Sequence, residues 1–272
     1  MEQKLALRIA YLGANYFGFQ RQPTASTIEE KILEALKVEK LLECPQEADY
    51  ASAGRTDKGV SAIEQTITFT PRKKVIIPAI NSHLPKDIRA WALAKVPKSF
   101  HPSFDATQRK YVYFMVNTGL NVDEMRKACK LLVGTHNFKN FAKKDRTRAV
   151  NTIRALNDLQ IENKNEYILK IVFKAQGFLW EQCRRIASHL LDIGLQKKNL
   201  DDTRALLSQN KLPIPSPLPA EALILEKIDY PKISFTRCQK SIEDFCVYLR
   251  DRLNALLAKS GVTEHILQKF GD

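Results

Sequence analysis

Leu5, Leu7, Ile9 and Tyr11 fall at every second position, a period that predicts a strand with one buried face. Thr27-Ile-Glu-Glu30 has the form of a capping box, and Ile28, Ile32, Leu33 and Leu36 continue it as an amphipathic helix. Ile67 and Phe69 alternate with threonines between Gln65 and Thr70, predicting a further strand. The stretch Phe104–Val116 opens polar and basic and then turns apolar, with Tyr111, Tyr113 and Met115 on one face and Val112, Phe114 and Val116 on the other. Met125, Ala128, Cys129 and Leu132 recur at helical spacing up to a stop at Gly134. Strands over Thr152–Ile161 and Tyr167–Ala175 are joined by an Asn-Lys-Asn turn.

A long helix is predicted to begin at Gly177, with Leu179, Cys183, Ile186, Ala187, Leu190 and Leu191 as its buried stripe. Four prolines between Lys211 and Pro219 mark an extended connection. A strand follows from Leu223 to near Tyr230, and Ser241–Leu257 forms a last amphipathic helix. The apolar face of that helix, with Ile242, Phe245, Cys246, Leu249, Leu253 and Leu256, reads as core or as a dimer contact. Alternation in most strands points to an antiparallel sheet covered by helices on one side, an α+β protein.

Lys and Arg number 43 against 30 Asp and Glu, a formal charge of +13. That excess favours a polyanionic partner, nucleic acid before membrane. The five cysteines are scattered, without a C-x-x-C pair, so neither a zinc site nor a disulfide framework is indicated. Cys129, Cys183 and Cys246 read as packed thiols. With no signal-peptide pattern and no apolar run long enough to span a bilayer, the expectation is a soluble cytoplasmic protein.

Chemistry concentrates in Gly54-Arg-Thr-Asp-Lys-Gly-Val60, where Asp57 stands between Arg55 and Lys58 and two glycines bracket the set. On composition this is first a polar turn, and secondly a loop that presents a carboxylate kept ionised by its neighbours, with a lowered pKa. Lys143-Lys144-Asp-Arg146-Thr-Arg148, preceded by Phe138 and Phe141, is a candidate RNA-contact loop. Arg184 borders a buried helical stripe, and a guanidinium turned inward needs a carboxylate; Arg185 reads as facing solvent or RNA.

The Asp57 segment resembles the active-site signature of the TruA-type tRNA pseudouridine synthases. Tyr11-Leu-Gly13 with Gly18-Phe-Gln-x-Gln22, then Arg109-x-Tyr111-x-Tyr113, then Gly177-Phe-Leu-Trp-Glu-Gln-Cys-Arg-Arg-Ile-Ala187, are similar to further family motifs in the family's order. The resemblance implies two similar ferredoxin-like halves, whose sheets join into one extended, mainly antiparallel sheet with helices on one face and a basic cleft between the halves. The halves would span 1–104 and 105–235, with a helical extension over 236–272. It implies catalytic roles for Asp57, its partner Arg184 and Tyr111, which would floor the pocket while Tyr113 stays in the core. RNA would be held by Arg55, Lys58, Arg21, Arg109, Lys143, Lys144, Arg146 and Arg148. The implied substrate is tRNA uridine at positions 38 to 40 of the anticodon stem-loop. The reaction needs no cofactor and no metal, in keeping with the lack of a phosphate loop, dinucleotide fingerprint or ligand-spaced cluster. Bacterial members are dimers, which leaves a homodimer open.

The chain departs from the family pattern at Ser61-Ala-Ile-Glu-Gln65, where His-Ala-x-Gly-Gln is usual, and at Phe100-His-Pro-Ser-Phe104, where Phe-His-Ala-Arg-Phe is common. Glu64 and the missing arginine are expected to weaken or re-aim RNA contact. Two other readings remain open: a catalytically silent RNA-binding protein or chaperone, which the charge supports as well, and a glycosidic hydrolase with a single Asp nucleophile, which lacks a second carboxylate at the loop.

Overall fold

The computed structural model describes residues 3–144, 149–208 and 213–271; Arg146 and Arg148 lie outside the described residues. The first half runs β1 (Leu5–Tyr11), α1 (Ile28–Val38), β2 (Ala51–Ser52), β3 (Ser61–Phe69), α2 (Ile77–His83) and β4 (Ile88–Lys95). The second runs β5 (Gln108–Val116), α3 (Val122–Leu132), β6 (Gly134–Asn137), β7 (Ile153–Asn163), β8 (Ile168–Ala175), α4 (Gln182–Gly194), α5 (Leu200–Leu207) and β9 (Leu223–Asp229). A two-residue strand β10 (Thr236–Arg237) and the helix α6 (Gln239–Phe270) close the chain.

In space the first half reads β4-β1-β3-β2 and the second β9-β5-β8-β7, all neighbours antiparallel. Each is the β-α-β-β-α-β order of a ferredoxin-like unit, with β6 added at the far edge of the second and β10 at the far edge of the first. The halves meet along one edge of β3. Its C-terminal part pairs with the short β2 at Ala51↔Thr68 and Ser52↔Ile67. Its first residues pair in parallel with β9 at Ser61↔Ile224 and Ala62↔Leu225. Because β2 spans only two residues, the rest of that edge is free to take β9, and the β2–β3 turn opens at the seam.

Leu7, Ile9 and Tyr11 pack with Ile28, Ile32 and Leu36 of α1 and Ile80 of α2; Tyr113, Met115, Ile171 and Phe173 pack with Met125 and Cys129 of α3 and Ile186 and Leu190 of α4. The two cores interleave, since Leu225 and Ile228 of β9 join the first and Val60 joins the second. The other face of the second half carries ion pairs such as Lys174–Asp158 at 2.8 Å and Lys170–Glu162 at 3.1 Å. Glu64 accepts from Arg8 at 2.6 Å and from the Ile228 amide at 3.3 Å, and it does not line the cleft described below. Its carboxylate is engaged in joining β3 to β1 and β9.

Several sequence expectations are corrected. Phe138 and Phe141 are fully buried core residues, not part of an RNA-contact loop. The α4 helix starts at Gln182, after an irregular stretch that still buries Leu179. Cys246 is exposed, unlike Cys129 and Cys183. The last helix runs to Phe270; of its predicted apolar face Ile242, Phe245 and Leu249 are half-buried, whereas the apolar side chains from Leu253 to Phe270 stand in solvent, which removes the core alternative for that part. Ser241 is its only buried residue among the described residues and accepts from Asn81 at 3.0 Å. Among the described residues no helix is long and apolar enough to cross a membrane.

Candidate active site

The β2–β3 turn carries the Asp57 segment and is tied along its length. The Ala53 amide donates to Thr66 O at 2.8 Å, the Gln65 amide side chain to Gly54 O at 2.9 Å, and the Phe19 amide to Thr56 O at 3.0 Å. The Thr56 and Tyr11 hydroxyls meet at 2.9 Å in the core. The Val60 amide closes a turn onto Asp57 O at 3.1 Å. Gly59 has φ +86°, a left-handed backbone that favours glycine, and a Cβ there would also crowd Glu221 Oε1 at 2.9 Å. Gly54 is not in that region of backbone space and its role is not conformational. What the anchored loop leaves projecting is Arg55, Asp57 and Lys58.

Asp57 opens into a cleft of about 2900 Å³ between the halves, lined also by Tyr111, Arg184, Arg55, Lys58, Arg109, Lys143 and Lys144. Gln20 and Gln22 line it as well, whereas Arg21 is exposed outside that lining. The expected pair is formed: Arg184 Nη2 stands 3.5 Å from Asp57 Oδ2, across the seam between the halves. Arg184 Nη1 donates to Leu218 O at 3.0 Å, and Nη2 lies 3.5 Å from Glu181 Oε1. Tyr111 packs edge-on against Phe178, with ring centroids 5.2 Å apart, and burial pushes its phenol far up, keeping it protonated. Tyr113 is buried in the second core.

The carboxyl of Asp57 departs from the expected direction. Burial raises its pKa more than Arg184 lowers it; Glu181 adds to the rise, while Lys143 and a hydrogen bond from Trp180 oppose it. The cations beside it in sequence do not hold it down: Arg55 and Lys58 are both exposed, and Lys58 Nζ sits 4.0 Å over the Phe17 ring.

Arg109 is occupied differently from the RNA-binding expectation. Its guanidinium donates to Ala53 O at 2.7 Å, to Ser103 O at 3.1 Å and to Gln176 O. Those carbonyls belong to the root of the Asp57 loop, the connection between the halves, and the approach to α4. Arg185, expected to face solvent or RNA, is largely buried and bonded to Glu181 at 2.6 Å and to Pro215 O at 2.6 Å.

Sequence reasoning missed Glu181. Its side chain is 10% exposed and it touches Arg184, Arg185 and Lys143, the last at 3.7 Å. It also adopts φ +63°, a left-handed conformation uncommon for a residue with a Cβ and a local strain of the kind found at functional sites. The available signal was its spacing: a glutamate three and four residues before two arginines, on what was read as one helix. Gln65, fully buried under the loop, was missed as well. Among the described residues, no group of three or more His, Cys, Asp or Glu is placed to hold a metal ion.

Comparison with known proteins identifies the family. A family model described as tRNA pseudouridine synthase matches residues 128–231. A Thermococcus kodakarensis protein named tRNA pseudouridine synthase A is 34% identical over 98% of this chain and 100% of its own. A Methanosarcina acetivorans protein of the same name is 39% identical over 70% of this chain and 71% of its own. A solved pseudouridylate synthase overlaps 90% of this chain and 75% of its own at 11% identity, with a TM-score of 0.39, too loose a match to add to the argument. By class, then, the chain is a pseudouridine synthase. It belongs to the tRNA pseudouridine synthase A family.

Since folding raises the Asp57 pKa, the stability this group contributes is fully present below the ordinary carboxyl value of 3.8 and is lost as pH rises through the folded value. Asp57→Asn, neutral at every pH, is therefore expected to melt above wild type at pH 7, with the gain vanishing as pH falls below 3.8. Thermal unfolding of both proteins across that range checks it; a lower melting temperature for the variant at pH 7 contradicts the direction of the shift.

Proposed function

We propose that this protein converts uridine to pseudouridine in tRNA, at positions 38 to 40 of the anticodon stem-loop, with Asp57 as the group that acts on the sugar. The observation that carries this reading is the half-buried Asp57 carboxylate facing a cation-lined cleft with the Arg184 guanidinium 3.5 Å away. In the reaction the N1–C1′ bond breaks, the uracil turns, C5 bonds to C1′, C5 loses its proton and N1 regains one. Atoms balance within the substrate, so neither oxidant nor energy source is needed. An anionic oxygen at C1′ or C2′ starts the exchange, as nucleophile or as base. Arg184 keeps Asp57 charged and oriented, and Tyr111 supports the detached base and keeps water from it.

A paired or stacked uridine is out of reach of Asp57, so the nucleotide must be drawn out of its stack. Arg55, exposed at the cleft two residues before Asp57, is placed to take the vacated position or hold its phosphate. Lys58, Lys143 and Lys144 add cations to the same lining, and neutralising phosphates with them makes binding fall steeply with salt. The location would be the cytoplasm, where tRNA is processed. We assign the exposed apolar side chains of α6, from Leu253 to Phe270, to contact with a second copy of the chain, since none of the described residues covers them.

Incubated with transcribed tRNA, wild type is expected to form pseudouridine at those positions, and Asp57→Ala to lose roughly 10³-fold or more in rate while retaining RNA affinity. Equal yield from the variant rules out Asp57 chemistry. Binding without modification by wild type favours an RNA chaperone, and released uracil favours a hydrolase. Glu181→Gln removes a charge that raises the Asp57 pKa, so the acid limb of its kcat/KM profile is expected to move to lower pH; an unmoved limb separates Glu181 from the Asp57 titration. Light scattering is expected to return a dimer mass for the full chain and a monomer mass for a chain ending at Arg250.

A further inference from the structure

Three aromatic rings stand exposed around the cleft in which Asp57 lies: Phe104 at 79%, Phe17 at 50% and Trp180 at 47%. Single exposed apolar side chains are ordinary on a protein surface. These three share further features. They come from three separate segments: the loop after β1, the connection between the halves, and the approach to α4. Each has a nitrogen-bearing partner over or beside its ring. Lys58 Nζ is 4.0 Å from the Phe17 centroid, Lys143 Nζ is 4.1 Å from the Trp180 centroid, and the His101 ring lies 4.3 Å from Phe104 at an interplanar angle of 31°.

The rings are also held by their backbones. The Phe17 amide donates to Ser26 O at 2.9 Å, and Phe17 O accepts from Gln22 at 2.8 Å. Ser103, next to Phe104, is fixed through its carbonyl by Arg109, and His101 is fixed through its amide by Asp105 at 2.7 Å. Trp180 O accepts from the Lys143 amide at 2.9 Å. A ring with a cation on one face and solvent over the rest offers a nucleotide two things at once: a surface for its base and a charge for its phosphate. A nucleobase inside a helix already has stacking neighbours, so such surfaces serve unpaired ones.

We propose that Phe17, Phe104 and Trp180 are stacking platforms for unpaired loop nucleobases neighbouring the uridine drawn to Asp57. This rests on the pseudouridine synthase reading and adds how the same cleft holds its substrate. Phe104 is the sharpest case: it is the most exposed of the three and has no ammonium to contribute, so its part is stacking alone.

The test uses a stem-loop RNA with 2-aminopurine, a fluorescent adenine analogue, placed in turn at each loop position beside the target uridine. Wild type is expected to quench at least two of these positions. Phe104→Leu keeps an apolar side chain and removes the ring; it is expected to abolish quenching at one position and weaken binding about five- to a hundredfold, with the loss in KM rather than kcat. Phe17→Leu is expected to abolish quenching at a different position. Fluorescence unchanged by wild type at every position overturns the proposal, as does Phe104→Leu binding as tightly as wild type. If wild type forms pseudouridine in the same RNA while no probe is quenched, the platforms fall and the activity stands; if it forms none, the activity reading falls first.

Discussion

A carboxylate that is to react from a half-buried position needs compensation from outside its own loop. The cations adjacent to Asp57 in sequence do not supply it, because Arg55 and Lys58 are exposed and Lys58 is engaged with the Phe17 ring. The compensating guanidinium comes from Arg184, 127 positions away on α4 of the other half. Much of the architecture serves that one approach. The parallel pairing of β3 with β9 begins at Ser61, immediately after the loop, so the seam between the halves lies directly beside the acid. Arg109 then ties the loop root, the inter-half connection and the approach to α4 to one planar group. A guanidinium with its donors in a rigid fork suits that task better than an ammonium, which has no fixed fork.

The pair is not tight. A charge-assisted bond has a donor–acceptor distance of about 2.7–2.9 Å, whereas Arg184 stands 3.5 Å from both Asp57 and Glu181. Shared between two carboxylates and a backbone carbonyl, with its Nε buried and without a hydrogen-bond partner among the described residues, the guanidinium neutralises Asp57 incompletely. This is why burial wins over the ion pair in setting the direction of the Asp57 pKa. A closely clamped carboxylate would be a weak base and would have its oxygens occupied. On the proposed reading, the looser arrangement would leave an oxygen available while retaining positive potential beside the charge. Glu181 takes the other share of the guanidinium from a left-handed backbone position, φ +63°.

Much of this was legible in the chain. Period-two alternation exposed β1, β3 and β9, an apolar run exposed β5, and the Asn-Lys-Asn turn separated β7 from β8; the cost of an unpaired guanidinium on a buried stripe called for a carboxylate beside Arg184, and the family resemblance named Asp57 as that carboxylate. The misses have physical causes. The strand β4 hides its inward face in alanines, Ala90, Ala92 and Ala94, which carry little hydrophobic contrast. The apolar row of α6 has the same period whether it faces a core or water, because periodicity reports a face and not its partner. Phe138 and Phe141 sat beside a basic run, yet they fill the second core next to His189, and adjacency in sequence says nothing about which way a ring turns. The sign of the Asp57 pKa shift was missed because burial of a short loop cannot be read from its own residues. Those residues gave the charges without the solvent exclusion that outweighs them.

Two units of the same topology raise the question of why one carboxylate site results and not two. The turn between second and third strands recurs in both halves, as residues 53–60 and as residues 164–167. Only the first borders the seam. In the first half β3 is the strand whose edge receives β9, so its leading turn opens onto the other unit. In the second half the strand at the seam is β9, and the β7–β8 turn lies two strands further out, where β6 extends the edge. The second half instead presents to the seam the strand next to β9, which brings Tyr111, and the helix α4, which brings Arg184. The division of chemical roles thus follows from joining the third strand of one unit to the last strand of the next. An acid on the β7–β8 turn would have no second unit to supply its cation.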